Sequence, residues 1–211
     1  MEIVWLGHSC FRIRGREATI VTDPFDKTLG YPMKKPTASI VTVSHQHPQH
    51  SNVGSVAGSP RVVSRPGEYE IANVFINGIA TFHDTEMGAQ RGKNTVYHIQ
   101  IEEVCICHLG DLGHVPTSEQ TEQMSDVDIL MVPIGGGATI GATAAVETIS
   151  LLQPKLVIPM HFKTDVVRME LAPLEPFLKE MGVKEFTAQP KLSVTKSSLP
   201  VETNVVVLDY H

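Results

Sequence analysis

The sequence is short of positive charge and of aromatic side chains. The 211 residues carry a net charge of −6, and aromatic residues make up only 6% of them. A large nucleic-acid footprint calls for a basic surface, yet the only adjacent lysines are Lys34 and Lys35. We therefore expect a small-molecule substrate rather than nucleic acid, and no broad aromatic platform on which sugars or bases could stack.

Long apolar runs and paired cysteines are also missing. No run approaches the ~20 apolar residues that span a bilayer, so we predict no membrane span. The first ten residues, MEIVWLGHSC, lack the features of an export signal. Of the three cysteines, Cys105 and Cys107 alternate within a predicted strand and are expected to be buried thiols. Together these features predict a cytoplasmic protein.

Short β-type runs dominate the first half of the chain. We predict strands over residues 2–6, 10–14, 18–22, 39–44, 61–64, 74–82, 95–101 and 104–109. The second half alternates strands at 128–133, 156–159 and 204–209 with helices at 117–124, 142–152 and 173–181. Pro66-Gly67 and Asn77-Gly78 are interpreted as turns. The pattern is typical of the α/β class and indicates two sheets with helices outside, in a single domain over residues 1–211.

Three histidines lie within six residues of the segment SHQHPQHSN. His45 and His47 are two residues apart, so on a strand both point the same way, and Pro48 then turns the chain toward His50. Other predicted strands are followed by further candidate ligands: His83, Asp111 and His161. Strand ends of layered folds collect along one edge, and imidazole with carboxylate suits zinc, iron or manganese. We therefore predict a transition-metal site.

The segment His45–His50 resembles the His-x-His-x-Asp-His signature of the metallo-β-lactamase superfamily. The superfamily's other metal-ligand positions are matched in the same order along the chain by His83, Asp111 in CHLGDLGH and His161 in VIPMHFK. The stretches IVWLGHSCFRI, VTDPF and TFHDTEMGAQRGKNTVY are similar to one branch of small zinc-dependent hydrolases. That branch is related to ascorbate-6-phosphate lactonase and to a phosphodiesterase acting on N-acyl phosphatidylethanolamines. The resemblance runs from residue 1 to about residue 161 and more loosely beyond.

The resemblance implies an αββα sandwich, in which two mixed β-sheets are flanked by helices and a metal centre lies in a groove along one edge. It implies two metal ions, the first bound by His45, His47 and His83 and the second by His50, Asp111 and His161. Asp111 would bridge the two ions. Asp111 and His50 are also the expected catalytic residues.

Position 49 departs from the superfamily pattern. An aspartate there normally helps to bind the second ion, whereas this chain has Gln49, whose neutral carbonyl oxygen is a weaker ligand. Three protein ligands and a water still make a sufficient catalytic zinc site. We expect the first site to fill with zinc, or with manganese or iron, and the second to be weaker, shifted or empty.

Four further residues are candidates for bracing the ligands or contacting substrate. His8 follows a predicted strand and either reaches the groove or anchors the next strand. Asp23 is expected to brace a metal ligand. His114 either lines the entrance or is a solvated loop residue. Asn94 belongs to the polar turn RGKN, which either holds an anionic group or is simply solvated.

These features predict a metal-dependent hydrolase of a small ester, lactone or phosphodiester. Two alternatives stay open, a catalytically impaired metal-binding relative that has lost its chemistry at Gln49 and a nuclease resembling ribonuclease Z. The acidic charge and the lack of an inserted RNA-grasping arm argue against the nuclease. The apolar loop over residues 29–33 either covers the groove or joins the interface of a homo-oligomer.

Overall fold

The computed structural model describes residues 1–32 and 34–210. Within this part of the chain the strands are β1 (Glu2–Gly7), β2 (Cys10–Arg14), β3 (Thr19–Thr22), β4 (Ile40–Thr42), β5 (Arg61–Val63), β6 (Gly67–Ile71), β7 (Val74–Phe82), β8 (Lys93–Ile101), β9 (Val104–His108), β10 (Ile129–Pro133), β11 (Leu156–Met160), β12 (Leu192–Ser193) and β13 (Asn204–Val205). The helices are α1 (Ser118–Gln123), α2 (Ala142–Leu152) and α3 (Glu175–Glu180), with short 3₁₀ turns at Lys27–Leu29, Val53–Ser55 and Lys196–Ser198.

The strands form two mixed sheets. The first has the order β12-β1-β2-β3-β4-β5, antiparallel from β12 to β3 and parallel from β3 to β5. The second has the order β13-β11-β10-β9-β8-β7-β6, antiparallel among β6 to β9 and parallel beyond. Helix α2 packs against β10 and α3, and α1 against β7. This arrangement confirms the predicted αββα sandwich.

Alternation along β1 shows how the sequence assigns its two faces. Ile3 and Trp5 belong to the main core, which contains residues of both sheets. Val4 and Leu6 belong to a second core, which they share with Phe25 and other loop residues. Because side chains along a strand alternate between its faces, an apolar run such as EIVWLG predicts a strand that is covered on both sides.

One of the two predicted turns is wrong. Pro66 lies in a bend between β5 and β6, as predicted, and Gly67 begins β6, whereas Asn77-Gly78 lies inside β7. A Cβ at Gly78 would lie 2.8 Å from the carbonyl oxygen of Arg65. Glycine is therefore required there by the close approach of a neighbouring chain segment, not by a reversal of direction.

The loop after the first 3₁₀ turn packs inside the molecule. Leu29 and Tyr31 are only 1% and 2% exposed, and the ring of Tyr31 contacts Trp5 and Phe25. These two side chains are therefore unavailable to a dimer interface. Met33, the last residue of the predicted loop, lies outside the described residues. No helix in the described part of the chain is long and apolar enough to cross a membrane.

Tyr97 joins the two sheets. It is fully buried in β8, and its hydroxyl lies 2.8 Å from the carbonyl oxygen of Val43 and 3.1 Å from that of Val63. Those carbonyls lie at the ends of β4 and β5 in the other sheet. The single hydroxyl hydrogen thus fixes the end of β4, from which the chain runs into the histidine segment.

Tyr97→Phe is expected to lower the free energy of unfolding by about 1–3 kcal/mol, because the buried Val43 carbonyl loses the hydroxyl donor, whereas the Val63 carbonyl keeps the backbone N–H of Val43. Denaturant titration measures this change. The matched control is Tyr69→Phe, whose hydroxyl donates to the Arg65 carbonyl in an exposed setting, so its loss should stay within about 0.5 kcal/mol. Equal losses for the two variants would contradict this role of Tyr97.

Candidate metal centre

Asp111 lies at the middle of a group of histidines. Its Oδ2 atom is 3.1 Å from Nε2 of His50, 3.3 Å from Nε2 of His83 and 3.9 Å from Nε2 of His45. Its Oδ1 atom is 3.5 Å from Nε2 of His161. The carboxylate is nearly buried, with Asp111 only 3% exposed. The fold thus brings four imidazole nitrogens from distant parts of the sequence to one carboxylate.

Asn94 and Gly110 hold the Asp111 loop in place. The Oδ1 atom of Asn94 accepts a hydrogen bond from the backbone N–H of Asp111, and its Nδ2 donates to Thr81 and to the carbonyl of Leu109. Gly110 has a φ of +57°, and a Cβ there would lie 2.5 Å from the Cβ of Ser44. Asn94 is therefore a buried brace of the loop and not part of a solvated turn.

At the edge that carries the cluster, three strands are each followed by a non-glycine residue in the left-handed region. His8, Asp23 and His161 have φ values of 54°, 37° and 53°, and they directly follow β1, β3 and β11. Such conformations are uncommon for residues other than glycine, and strained backbone of this kind clusters at functional sites. The three strained turns direct an imidazole, a carboxylate and a second imidazole to one edge of the fold.

Asp23 sets the orientation of two histidine rings. It accepts hydrogen bonds from the backbone N–H of Ser44 (2.7 Å), the Ser44 hydroxyl (2.6 Å) and Nδ1 of His50 (3.0 Å). Since the Ser44 hydroxyl gives its hydrogen to Asp23, Nδ1 of His45 must donate in its own 3.0 Å contact with that oxygen. Both rings therefore carry a proton on Nδ1 and keep Nε2 as the nitrogen available to a metal ion.

The electrostatics of the group centre on the pair formed by His50 and Asp111. Burial lowers the pKa of His50, but Asp111 and Asp23 on its two sides outweigh this and raise it to about 10. Burial raises the pKa of Asp111, but His50 and His161 bring it well below its ordinary value. Burial and the neighbouring His50 lower the pKa of His45 to about 4. The ring of His45 is therefore neutral and the carboxylate of Asp111 ionised at neutral pH, which are the forms that bind a metal ion.

The middle of the histidine loop is more exposed than the rest of the cluster. His47 is exposed, and its Nδ1 accepts a hydrogen bond of 3.3 Å from the backbone N–H of Gln49. Gln49 is half-buried, and its side chain forms no hydrogen bond with the described residues. Among the described residues His47 and His83 do not share one set of converging ligand atoms, since His47 groups with His45 and His50 whereas His83 groups with His45 and Asp111.

The donor atoms fit a transition-metal ion. Three sets have ligand atoms that all lie within 4.8 Å of one another: His45 with His83 and Asp111, His45 with His47 and His50, and His8 with His50 and His161. Several buried polar atoms of the group have no hydrogen-bond partner within residues 1–32 and 34–210, namely both ring nitrogens of His8, Nε2 of His83, Oδ1 of Asp111 and Nδ1 of His161. Buried polar atoms normally have partners, and imidazoles with a carboxylate suit zinc, iron or manganese.

Three polar residues have positions that the sequence left open or did not indicate. Nε2 of His114 accepts from the backbone N–H of Phe82 and its Nδ1 donates to the Val115 carbonyl, so both nitrogens brace the main chain and neither is free for substrate. His8 lies inside the cluster, with its ring centroid 4.0 Å from that of His161. Ser44 was missed, although its position between an apolar strand and SHQH is a signal for such a brace.

Asp23→Asn is expected to weaken metal binding by about 10- to 100-fold, because the amide cannot accept all three hydrogen bonds that orient His50 and Ser44. Zinc titration against a chromophoric chelator measures the affinity. Asp126→Asn is the matched control, since Asp126 is exposed and its φ of 60° suits asparagine. Unchanged affinity in a folded Asp23→Asn variant would contradict this role of Asp23.

Comparison with known proteins places the chain in a family. The profile described as "Beta-lactamase superfamily domain" matches residues 2–161. The chain is similar to the crystal structure of a candidate zinc-dependent hydrolase of the metallo-β-lactamase superfamily from Thermotoga maritima, with a TM-score of 0.84 and 40% identity over 100% of this chain and 99% of that one.

Two further relatives are named metal-dependent hydrolases. The protein from Pelotomaculum thermopropionicum is 30% identical over 200 residues, which cover 78% of this chain and 85% of the relative. The protein from Thermoplasma volcanium is 29% identical over 199 residues, which cover 81% and 87%. The profile match contains the whole cluster from His8 to His161, and its fold agrees with the sandwich described above. The chain therefore belongs to the metallo-β-lactamase superfamily.

Proposed function

We propose that this protein is a metal-dependent hydrolase that acts on a small ester, lactone or phosphodiester, with zinc as its metal. The observation that carries the proposal is the convergence of four imidazole Nε2 atoms, all within 3.9 Å of the carboxylate oxygens of Asp111. The names of the relatives from Pelotomaculum thermopropionicum and Thermoplasma volcanium support the same reaction class.

The ligand atoms support a two-ion arrangement around Asp111. His45 and His83 would hold one ion together with Asp111, with the exposed His47 as an adaptable further ligand. His50 and His161, which also contact the Asp111 carboxylate, would hold the other ion. When bound, such ions lower the pKa of a coordinated water to about 7 and polarise the oxygen of a carbonyl or phosphoryl group.

Asp111 is the carboxylate best suited to orient a water and accept its proton. The oxygens of Asp23 already accept three hydrogen bonds, and those of Asp84 accept four from the backbone. Oδ1 of Asp111 has no such partner among the described residues. His50 is held by Asp23 and keeps Asp111 ionised, and an ionised carboxylate can accept a hydrogen bond that orients a water.

The surroundings of the cluster favour a small substrate. His50, Asp111 and His161 are buried, whereas Gln46, His47 and Pro48 are exposed. Substrate would therefore approach from the side of this loop.

The three cysteines are free thiols, which supports a reducing compartment such as the cytoplasm.

Asp111→Asn is expected to lower kcat/KM by about 100- to 10,000-fold, because the amide cannot take a proton. The assay is a panel of nitrophenyl esters, lactones and bis-nitrophenyl phosphate, with zinc-loaded protein. Activity of the unmodified chain should also disappear after chelation and return when zinc is added.

The control for the Asp111 variant is Asp126→Asn, which should keep full activity because Asp126 is exposed and far along the chain from every cluster residue. Zinc binding without turnover on the whole panel would support the alternative of a catalytically impaired relative. Turnover that survives both chelation and Asp111→Asn would contradict the proposed function.

A further inference from the structure

His8 is a buried imidazole whose ring has no hydrogen-bond partner. It has no exposed surface, and neither Nδ1 nor Nε2 bonds to any described residue. Histidines that only anchor a fold use their ring nitrogens on the main chain, as His108 does when Nε2 donates to the Ser9 carbonyl at 2.8 Å. Because burial of a polar ring without partners is unfavourable, the ring of His8 is expected to have a ligand.

The ring of His8 points into the candidate metal centre. Its centroid lies 4.0 Å from that of His161 and 4.9 Å from that of His50. The three residues offer ligand atoms that all lie within 4.8 Å of one another. Nitrogens on a tetrahedral ion with bonds of about 2.0–2.1 Å are about 3.3 Å apart. A small side-chain shift therefore suffices for all three rings to bind one ion.

The backbone fixes His8 in this orientation. Its carbonyl oxygen accepts hydrogen bonds from Nε1 of Trp5 (2.9 Å) and from the backbone N–H of His161 (3.2 Å). His8 and His161 both have a left-handed φ. Each strained turn is thus tied to the other, and their side chains are held in contact.

The same ion is the one that loses a ligand at Gln49. Gln49 stands where the superfamily has an aspartate. Its side chain is neutral and makes no hydrogen bond with the described residues, and only its backbone N–H donates one, to His47. We propose that His8 is a direct ligand of the second metal ion, together with His50, His161 and Asp111, and that it fills the coordination position that Gln49 leaves without a carboxylate. The inference rests on the proposed function, because it presupposes that the cluster binds metal.

This ligand set makes a prediction about the metal. Three imidazoles and one shared carboxylate form a site that is richer in nitrogen than the superfamily pattern. Imidazole ligands suit zinc, whereas carboxylates suit manganese and magnesium. The second site should therefore prefer zinc over manganese despite the missing aspartate.

The test is zinc titration of the metal-free full-length chain against a chromophoric chelator. The unmodified chain should bind two zinc ions. His8→Asn, which suits a left-handed φ but is too short to reach the ion, should raise the dissociation constant of the second ion at least about 100-fold and leave the first within about threefold. His98→Asn is the matched control, since His98 also has an unpartnered Nε2 but belongs to none of the three ligand sets.

A rescue variant separates a lost ligand from a damaged fold. Gln49→Asp added to His8→Asn should restore the second zinc ion, because it returns the carboxylate that His8 replaces. Circular dichroism checks that each variant is folded. A second zinc ion that binds His8→Asn as tightly as the unmodified chain would overturn the inference and leave the proposed function standing.

A measurement on the unmodified chain covers the case in which His8→Asn does not fold. In the protein loaded with cadmium-113, the ring protons of His8, assigned through the backbone, should show scalar coupling to a bound ion. Absence of that coupling while His50 and His161 are coupled would overturn the inference alone. A chain that binds no zinc or cadmium would overturn both the inference and the proposed function.

Discussion

The arrangement of the candidate centre depends on the buried carboxylate of Asp23. With Ser44 it fixes which nitrogen of His45 and of His50 carries a proton, so two histidines on one loop acquire defined orientations. Without those hydrogen bonds a fully buried carboxylate would be costly. Asp23 therefore stabilises the fold and orders the ligands through the same contacts, as carboxylates behind metal-bound histidines generally do.

The sheet topology explains why residues so distant in sequence meet at Asp111. Strands β1, β3, β9 and β11 bring their ends to one edge of the sandwich, and each is followed by a short turn that carries a polar side chain. Tyr97 ties the two sheets together close to that edge. The cluster can therefore be rigid although most of its members lie on loops, which is the condition for a preorganised site.

Apolar alternation in the sequence was sufficient to predict the longer strands, and β2, β7 and α2 have the predicted bounds. Strand β6, with the sequence GEYEI, was missed because it lies at the edge of its sheet and is mostly exposed. Its sequence therefore lacks the apolar residues that predict a buried strand. The ligand candidates could be predicted because they follow the ends of predicted strands. The hydrogen bonds between Asp23 and Ser44 could not, because these residues are 21 positions apart in the sequence and meet only in the folded chain. The position of His8 in the cluster also depends on its left-handed backbone conformation, which sequence patterns do not reveal.

The most direct test of the account is anomalous diffraction at the zinc absorption edge from crystals of zinc-loaded protein. The account predicts two peaks about 3.5–4 Å apart next to the Asp111 carboxylate, one near His45 and His83 and the other near His50 and His161. Zinc bound only elsewhere on the surface, or no peak within this cluster, would contradict the assignment of a metal centre to these residues.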